Sequence, residues 1–275
     1  MRVLVTGAAG MLGRDLVAHL VPRHEVTAVD LDVDVTEPAA VRACLEACRP
    51  DAVFHLAAWT DVDGAEENEA GAAAVNAHGA GVVAAAAAEA GAALVLPSTD
   101  YVFDGRKGAP YVEDDEPAPL GAYGRTKLAG ERAALAAHPG GARVARTAWL
   151  YGAGGRNFVD TMRRLGAERD EVDVVADQTG CPTWTRDLSP ALEALLEAPP
   201  GVYHAAAAGS VTWAGLARAV FEMTGSACRV RPVSTEALGR PAPRPRLSAL
   251  AATRPGGPQL RDWREALADY LEETA

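Results

Sequence analysis

The chain has 275 residues with 49% hydrophobic and 23% charged side chains, which is the composition of a globular protein with one large domain, or one domain and a smaller appendage. Its net charge of −11 argues against nucleic-acid binding, because neutralising phosphates requires a basic face. No apolar run approaches the roughly 20 residues that cross a bilayer, so we expect no membrane contact.

Strands and helices alternate along the first 150 residues. The predicted strands are 2–6, 25–30, 51–58, 93–99 and 142–147, and the predicted helices are 10–20, 37–49, 66–90 and 119–137. In the first helix Leu12, Leu16 and Leu20 recur at helical spacing, and a proline opens the second helix, where its missing N–H costs nothing. Alternation at this spacing favours an α/β fold with a parallel sheet covered on both faces.

The regularity falls beyond residue 150. Predicted helices lie at 157–169, 185–197, 212–224 and 262–273, and predicted strands lie at 172–176 and 201–206. We therefore predict a dinucleotide-binding domain over residues 1–148 and a mainly substrate-binding part over 149–275, some elements of which return to the first sheet. A small lid over the carboxyl ends of the strands would enclose a substrate beside a cofactor.

The stretch TGAAGMLG places Gly7, Gly10 and Gly13 directly after the first strand and at the start of the first helix. At that position small residues let the backbone approach a pyrophosphate, and the helix N-terminus offers free N–H groups. Met11 and Leu12 lie inside the motif and are predicted cofactor contacts with it. The pattern predicts a dinucleotide site, with an ordinary tight turn as the alternative.

Asp30 ends the second strand about 20 residues further on, where a carboxylate binds an adenosine ribose 2′-hydroxyl. That chemistry favours NAD over NADP because a carboxylate repels a 2′-phosphate, but Arg14 and Arg42 could offset the repulsion. NADPH and NADH therefore both stay open as the cofactor. Further contacts are expected after the second and third strands, at Asp34, Val35, Ala57, Ala58 and Thr60.

Tyr123 and Lys127 form a Tyr-x-x-x-Lys pair on one face of the predicted helix at 119–137. Lys127 is one of two lysines in a chain with 24 arginines. A nearby ammonium favours the phenolate and lowers the pKa of a tyrosine from its ordinary value near 10. Thr99 ends the fourth strand, and its hydroxyl could bind a reacting carbonyl oxygen at the same sheet edge. The alternative is an exposed tyrosine and lysine without a chemical role.

Eight blocks of sequence follow one another in an order that resembles a known family: TGAAGMLG, HLAAWTDVDGAE, STDYVFDG, YGRTKLAGE, RTAWLYG, NFVDTM, DQTGCPTW and DWREAL. Together they look like the dTDP-4-dehydrorhamnose reductase family of extended short-chain dehydrogenases. The resemblance implies a Rossmann-type doubly wound parallel sheet with a smaller C-terminal substrate-binding part. It also implies reduction by NADPH or NADH of the C4 ketone of a dTDP-linked 6-deoxysugar, either dTDP-4-dehydro-L-rhamnose or a related sugar of a specialised glycoside pathway.

The resemblance assigns roles to single residues. Thr99, Tyr123 and Lys127 would be the catalytic trio, with Tyr123 protonating the new alkoxide and Lys127 holding the nicotinamide ribose. The residues implied at the sugar are Thr99, Tyr101, Trp149, Asn157 and Thr60 or Val62. Three arginines in RPAPRPRLSAL would meet the diphosphate, with a solvated basic loop as the alternative: Arg240, Arg244 and Arg246.

Some members of the family hold a bridging magnesium at a dimer interface with glutamates. The stretch TWTRDL has no clear carboxylate for that role and carries Arg186, so we predict no metal. We expect a cytoplasmic monomer or homodimer whose partner is a dTDP-linked 4-keto sugar. The cysteines are expected to be reduced structural residues: Cys44, Cys48, Cys181 and Cys228.

Two other functions stay open. A nucleotide-sugar epimerase or 4,6-dehydratase shares the fold and the Tyr-x-x-x-Lys pair. Dehydration, however, needs an Asp-Glu pair after the threonine, and here Thr99 is followed by Asp100 and Tyr101. A non-catalytic regulatory subunit, such as the accessory subunit of methionine adenosyltransferase, also resembles this family, although the intact trio argues against that role.

Overall fold

Within residues 1–274, which the computed structural model describes, the chain forms twelve strands. They are β1 (Arg2–Thr6), β2 (Glu25–Val29), β3 (Ala52–His55), β4 (Ala93–Thr99), β5 (Ala142–Thr147), β6 (Leu150–Tyr151), β7 (Glu171–Val175), β8 (Thr179–Gly180), β9 (Thr183–Trp184), β10 (Gly201–His204), β11 (Val211–Thr212) and β12 (Arg229–Val233). Six of them make the central sheet, and the others form the pairs β6–β9, β7–β12 and β8–β11.

The central sheet is parallel throughout and runs in the order β2-β1-β3-β4-β5-β10. From β1 the chain adds β2 on one side and the later strands on the other, so the strand order reverses between β1 and β3. In open α/β sheets a ligand binds outside the carboxyl ends of the strands at such a switch point. The prediction of an α/β, doubly wound parallel sheet is confirmed.

The helices of the described residues follow the strands in alternation. They are α1 (Met11–Leu20), α2 (Pro38–Cys48), α3 (Val62–Glu67), α4 (Glu69–Ala73), α5 (Ala80–Ala90), α6 (Ala122–Ala137), α7 (Phe158–Glu168), α8 (Thr185–Ala194), α9 (Trp213–Thr224), α10 (Thr235–Leu238) and α11 (Trp263–Glu273). A π-helical turn, Ala74–Gly79, joins α4 to α5.

Helices cover both faces of the central sheet. On one face α2, α5 and α6 bury Leu45 and Val83 against strand residues such as Leu4. On the other face α1 and α8 pack together, with Leu16 and Leu188 fully buried. Successive strand side chains point to opposite faces, so the same strands supply both cores.

A further hydrophobic core lies in the C-terminal part. It joins α7, α9 and α11 to β7 and β12, with Val159, Phe221, Leu267 and Val172 buried together. By contrast, α8 and β10 belong to the layers of the central sheet, although both follow residue 148 in the chain. The division at residue 148 stays a prediction, and β10 is an element that returns to the first sheet.

The predicted helix at 66–90 is interrupted. Asn68 ends α3 and caps α4 by accepting from the Gly71 N–H at 2.9 Å, and the π-helical turn follows. The run Glu69–Ala90, with a mean hydropathy of 1.3, is long and apolar enough to cross a membrane by length and composition alone, so the expectation of no such run is wrong. Core helices pass the same test, and this run packs against α2 and α6.

Candidate active site

The glycine-rich turn between β1 and α1 passes close to the end of β3. Gly7 has φ +67°, and a Cβ there would lie 2.6 Å from the Ala57 backbone nitrogen, so the turn requires glycine. A Cβ on Gly13 would overlap the backbone of Gly7 and Ala8 in the same turn. No side chain of residues 1–274 caps the first N–H groups of α1, which leaves them available to an anion.

Gly10, Met11 and Leu12 carry the turn into α1. The Gly10 N–H donates to the Gly7 carbonyl oxygen at 3.2 Å. The Leu12 side chain is buried in the core shared by α1 and α8, and Met11 lies against Gly155 in the loop after β6. Leu12 can therefore reach a ligand in the turn through its backbone alone.

The Asp30 carboxylate is tied to the glycine-rich turn. Its Oδ2 accepts from the Ala9 N–H at 2.8 Å, and its Oδ1 accepts from the Leu31 N–H at 3.0 Å. Each carboxylate oxygen has two lone pairs, so both keep one acceptor position. Asp30 is therefore able to bind a ribose hydroxyl at the position that the sequence predicts.

The two arginines expected to offset the charge of Asp30 lie in different surroundings. Arg14 stays beside the turn, because its Nε donates to the Ala9 carbonyl oxygen at 2.9 Å. Arg42 is paired with Glu89 at 3.8 Å on the exposed side of α2 and α5. The geometry thus leaves Arg14 near the predicted cofactor site and does not support the expected role of Arg42.

The other predicted cofactor contacts differ in exposure. Asp34 is exposed, and hydrogen bonds from the Thr36 hydroxyl at 2.7 Å and N–H at 2.9 Å hold the pKa of its carboxyl below the usual value. Val35 is buried in the core beside α5, which is a packing role. The three predicted residues after β3 are half-buried or exposed: Ala57, Ala58 and Thr60.

Strand β4 and helix α6 carry Thr99, Tyr123 and Lys127 to the carboxyl edge of the sheet. Thr99 is the last residue of β4, and its hydroxyl donates to Asp100 Oδ1 at 3.2 Å. Tyr123 is half-buried near the start of α6, one turn before Lys127. Lys127 is buried, and its Nζ donates to the Pro97 carbonyl oxygen at 2.9 Å. The sequence-predicted trio is therefore one cluster in space.

Burial has the largest effect on the pKa values of Tyr123 and Lys127 on α6. It raises the pKa of Tyr123 to about 12, and the negative charge of Asp100 adds to that rise. It lowers the pKa of Lys127 to about 8, against the attraction of Glu131. The expected lowering of the Tyr123 pKa by Lys127 is therefore not found, because the ammonium bonds to a backbone carbonyl and burial outweighs it. Tyr123 is protonated at neutral pH, which is the form that donates a proton.

A narrow cleft opens beside this trio. Its walls include Val62, Tyr101, Tyr123, Pro243 and Pro245. The rings of Tyr101 and Tyr123 meet edge to face, with their centroids 6.1 Å apart. Two predicted sugar contacts, Val62 and Tyr101, thus share a cleft with the predicted proton donor.

Arg244 lies beside this cleft in an ion pair. Its Nη2 donates to Asp63 Oδ1 at 3.0 Å, and its side chain is 14% exposed. Arg240 binds the same carboxylate at 3.2 Å and is exposed, as is Arg246. Burial raises the pKa of the Tyr101 hydroxyl, and the Arg244 guanidinium opposes that rise. Of the three arginines, Arg244 is therefore the one whose charge acts at the cleft.

Trp149 combines two unfavourable features. Its φ of +47° lies in the left-handed region that bulky residues avoid. Its indole stacks on Trp213 with centroids 3.5 Å apart and planes within 3°, and its Nε1 is buried with no hydrogen-bond partner among the described residues. Strain and an unpaired donor cluster at ligand sites, so both features favour the predicted role of Trp149.

The side chain of Asn157, by contrast, makes its hydrogen bonds to the first turn of its own helix and to the preceding loop. Its Oδ1 accepts from the Asp160 N–H at 2.9 Å, and its Nδ2 donates to the Gly152 carbonyl oxygen at 2.9 Å and to Asp160 Oδ2 at 2.8 Å. The side chain caps α7 and fastens the loop after β6. These bonds give the predicted sugar contact no support.

Two buried polar residues that the sequence analysis did not assign bind the site together. Asp100 accepts from the Thr99 and Ser248 hydroxyls, and burial raises the pKa of its carboxyl to about 7. Asn76, in the π-helical turn, donates to the Trp59 carbonyl oxygen and to Thr126 Oγ1, both at 3.1 Å. Asp100 directly follows Thr99, so the sequence could have indicated it as a site residue. The spacing along the chain does not link Ser248 or Asn76 to the residues that they contact.

The predicted absence of a metal stays a prediction. In the part of the chain that the structure describes, no group of three or more His, Cys, Asp or Glu side chains is arranged to hold a metal ion. Arg186 forms an ion pair with Glu273 of α11. All four cysteines are free thiols.

A glycine-rich turn at the switch point of a parallel sheet, with a Tyr-x-x-x-Lys pair at the same edge, defines a Rossmann-type oxidoreductase of the short-chain dehydrogenase class. The family model described as the RmlD substrate binding domain matches residues 1–275. A dTDP-4-dehydrorhamnose reductase from Streptomyces griseus is 49% identical over 280 residues, covering 98% of this chain and 92% of the relative. The chain belongs to the dTDP-4-dehydrorhamnose reductase family.

Two further comparisons bear on cofactor and substrate. The crystal structure of a dTDP-4-dehydrorhamnose reductase from Bacillus anthracis in complex with NADP has a TM-score of 0.96 and 39% identity, covering 99% of both chains. A dTDP-4-keto-6-deoxy-D-glucose reductase from Streptomyces niveus is 45% identical, covering 97% of this chain and 95% of the relative. The sequence-based predictions of family and of a reductase are confirmed.

Proposed function

We propose that the protein uses NADPH or NADH to reduce the C4 ketone of a dTDP-linked 4-dehydro-6-deoxysugar. dTDP-4-dehydro-L-rhamnose, reduced to dTDP-L-rhamnose, is the first candidate substrate, and a related sugar of a specialised glycoside pathway is the second. One observation carries the proposal: Thr99, Tyr123 and Lys127 meet at the carboxyl end of β4 in a chain of this reductase family.

The turn after β1 fits a nicotinamide dinucleotide. A Cβ at Gly7 or Gly13 would overlap neighbouring backbone atoms, so only glycine allows this tight turn. The uncapped start of α1 suits a pyrophosphate. Asp30 would hold the adenosine ribose, and Lys127 the nicotinamide ribose. When bound, the cofactor supplies a hydride. The residues after β3 would flank the dinucleotide: Ala57, Ala58 and Thr60.

In the proposed reaction, Tyr123 donates its phenolic proton to the carbonyl oxygen while the carbonyl carbon receives the hydride. The ketone becomes a secondary alcohol, and Tyr123 is left as a phenolate. Lys127, charged below its pKa of about 8 and one helical turn away, would hold the nicotinamide ribose beside Tyr123. Thr99, close to Tyr123 at the same sheet edge, opposes the rise of the Tyr123 pKa and would bind the reacting carbonyl oxygen.

The deoxysugar would lie at the mouth of the narrow cleft beside this trio, since the empty volume of about 220 Å³ is too small for a whole sugar nucleotide. Tyr101 and Val62 would contact the deoxysugar, and Trp149, which stacks on Trp213, would be a further contact. The Arg244 guanidinium, at the edge of the cleft, suits the diphosphate. A cytoplasmic location, a monomeric or homodimeric state and the absence of nucleic-acid and membrane partners are part of the same proposal.

The acidic residues around Thr99 favour a reductase over a dehydratase. Asp100 is bound by Ser248 and Thr99, and the next residue is the aromatic Tyr101, not a second carboxylic acid. A regulatory subunit would have no need for the buried ammonium of Lys127.

The test follows absorbance at 340 nm, the wavelength at which reduced nicotinamide absorbs, with dTDP-4-dehydro-L-rhamnose and, separately, other dTDP-4-keto-6-deoxysugars. Oxidation of NADPH or NADH, with a reduced sugar identified by NMR, is the expected result. Tyr123→Phe should lose at least about a hundredfold in turnover while binding cofactor as the wild type does. Consumption of neither cofactor with any of these sugars would refute the proposal.

A further inference from the structure

A fully buried ion pair lies one helical turn beyond Lys127. Glu131 of α6 is 2% exposed and Arg146 of β5 is 4% exposed. The carboxylate accepts from Arg146 Nη2 at 2.7 Å and Nε at 3.0 Å, and from the Ser98 hydroxyl at 2.5 Å. Isolated charges are expensive to bury, so a pair at this depth calls for an explanation.

The ion pair fixes the register between the two elements that carry the trio. Pro97, Ser98 and Thr99 are consecutive on β4: the Pro97 carbonyl oxygen binds Lys127, and the Ser98 hydroxyl binds Glu131. Lys127 and Glu131 are themselves four residues apart on α6. Two buried bonds, one turn apart, therefore dock α6 onto β4 immediately before Thr99.

The same residues determine the charge around Lys127. The ionisable groups near it are Tyr123 and Glu131 on its own helix and His55 at the end of β3, and Arg146 on β5 is bonded to Glu131. Burial lowers the pKa of His55 to about 3, so His55 is neutral. Two buried cations, Lys127 and Arg146, thus share the nearby carboxylate of Glu131. Removing that carboxylate would leave two like charges in a medium of low dielectric constant.

We propose that Glu131 is a positioning residue that keeps Lys127 charged and in register with Thr99, and that Arg146 and Ser98 hold its carboxylate for that task. The inference deepens the proposed function, because it matters only if Lys127 holds the cofactor beside Tyr123. It gives a chemical reason for the glutamate of the YGRTKLAGE block, to which the sequence analysis assigned no role.

The low lysine content makes a direct test possible. In protein labelled with 13C at the lysine Cε, two side-chain signals are expected, from Lys107 and Lys127, and Lys107→Arg assigns them. Titration of the Lys127 signal needs neither substrate nor cofactor. Glu131→Gln is expected to shift its midpoint down by about one unit or more, because the attractive charge is lost.

Substitutions of Arg146, the ion-pair partner of Glu131, distinguish an effect of charge on Lys127 from a change in its surrounding structure. Arg146→Met should shift the Lys127 midpoint upward, because the repelling cation is lost, and Glu131→Gln/Arg146→Met should return it towards the wild type. The alkaline limb of kcat/KM should move with the midpoint in each variant. Shifts in the same direction in both single variants, or an unchanged midpoint, would overturn the proposal.

The double variant and Arg146→Met keep the test decisive even if Glu131→Gln does not fold. Failure of the proposed function would be seen separately, as an absence of cofactor oxidation by the wild type with every sugar nucleotide, while the NMR titration still reports on Glu131.

Discussion

The buried carboxyl group of Asp100 predicts a pH-dependent loss of stability. Burial raises the pKa of this group from 3.8 to about 7, so the folded state retains a proton that the unfolded state releases between those values. The stability contributed by the protonated form is present below pH 3.8 and is lost as the pH rises through about 7. At about 1.4 kcal/mol for each unit of pKa difference, the loss is of the order of 4 kcal/mol.

Asp100→Asn removes the charge and keeps the shape and an acceptor for the Ser248 hydroxyl. Its free energy of unfolding should match that of the wild type near pH 4 and exceed it by a few kcal/mol at pH 7.5. Urea unfolding of both proteins, followed by circular dichroism at half-unit steps of pH, measures the difference directly. A difference that stays constant from pH 4 to 7.5, or that shrinks as the pH rises, would show that the Asp100 pKa is not raised.

Lys127→Arg should lower cofactor oxidation by at least about a hundredfold despite keeping its charge, because a planar guanidinium does not replace an ammonium buried against the Pro97 carbonyl; near-normal turnover in a steady-state assay would contradict this. Gly130→Ala should destabilise the protein by about 1–3 kcal/mol, since a Cβ there would overlap the Asn76 carbonyl oxygen. Thermal melting should separate it from Gly140→Ala, whose Cβ meets open space, and equal melting temperatures would refute the overlap.

Local signals made the first half of the fold predictable. The strands at 2–6, 93–99 and 142–147 have the predicted bounds, because each is a short run rich in aliphatic residues, and the last two come shortly after the glycines Gly91 and Gly141. The helix at 66–90 was harder to predict, since an alanine-rich run forms helix without indicating which side is buried. Asn68 ends α3 and caps α4 through a local bond to Gly71, whereas Asn76 in the π-helical turn bonds to Trp59, a contact that depends on the folded chain.

The site was predictable where the motif is short and unpredictable where it is spread along the chain. Tyr123 and Lys127 are one helical turn apart, so spacing alone brings them together. The pKa of Tyr123 could not be inferred in the same way, because it depends on burial and on Asp100. The contact of Ser248 with Asp100 joins positions 148 residues apart, and no local pattern reports such a contact.

The edge strand β10, the last in sequence of the central sheet, has a consequence for the synthesis of the protein. When residue 148 leaves the ribosome, β5 still has an open edge and one face of the sheet lacks α8. Both gaps close only after residues 185–204 have been synthesised, which takes several seconds at about 5–20 residues per second. Until then the nascent chain exposes the apolar surface of α1 that α8 covers in the folded protein.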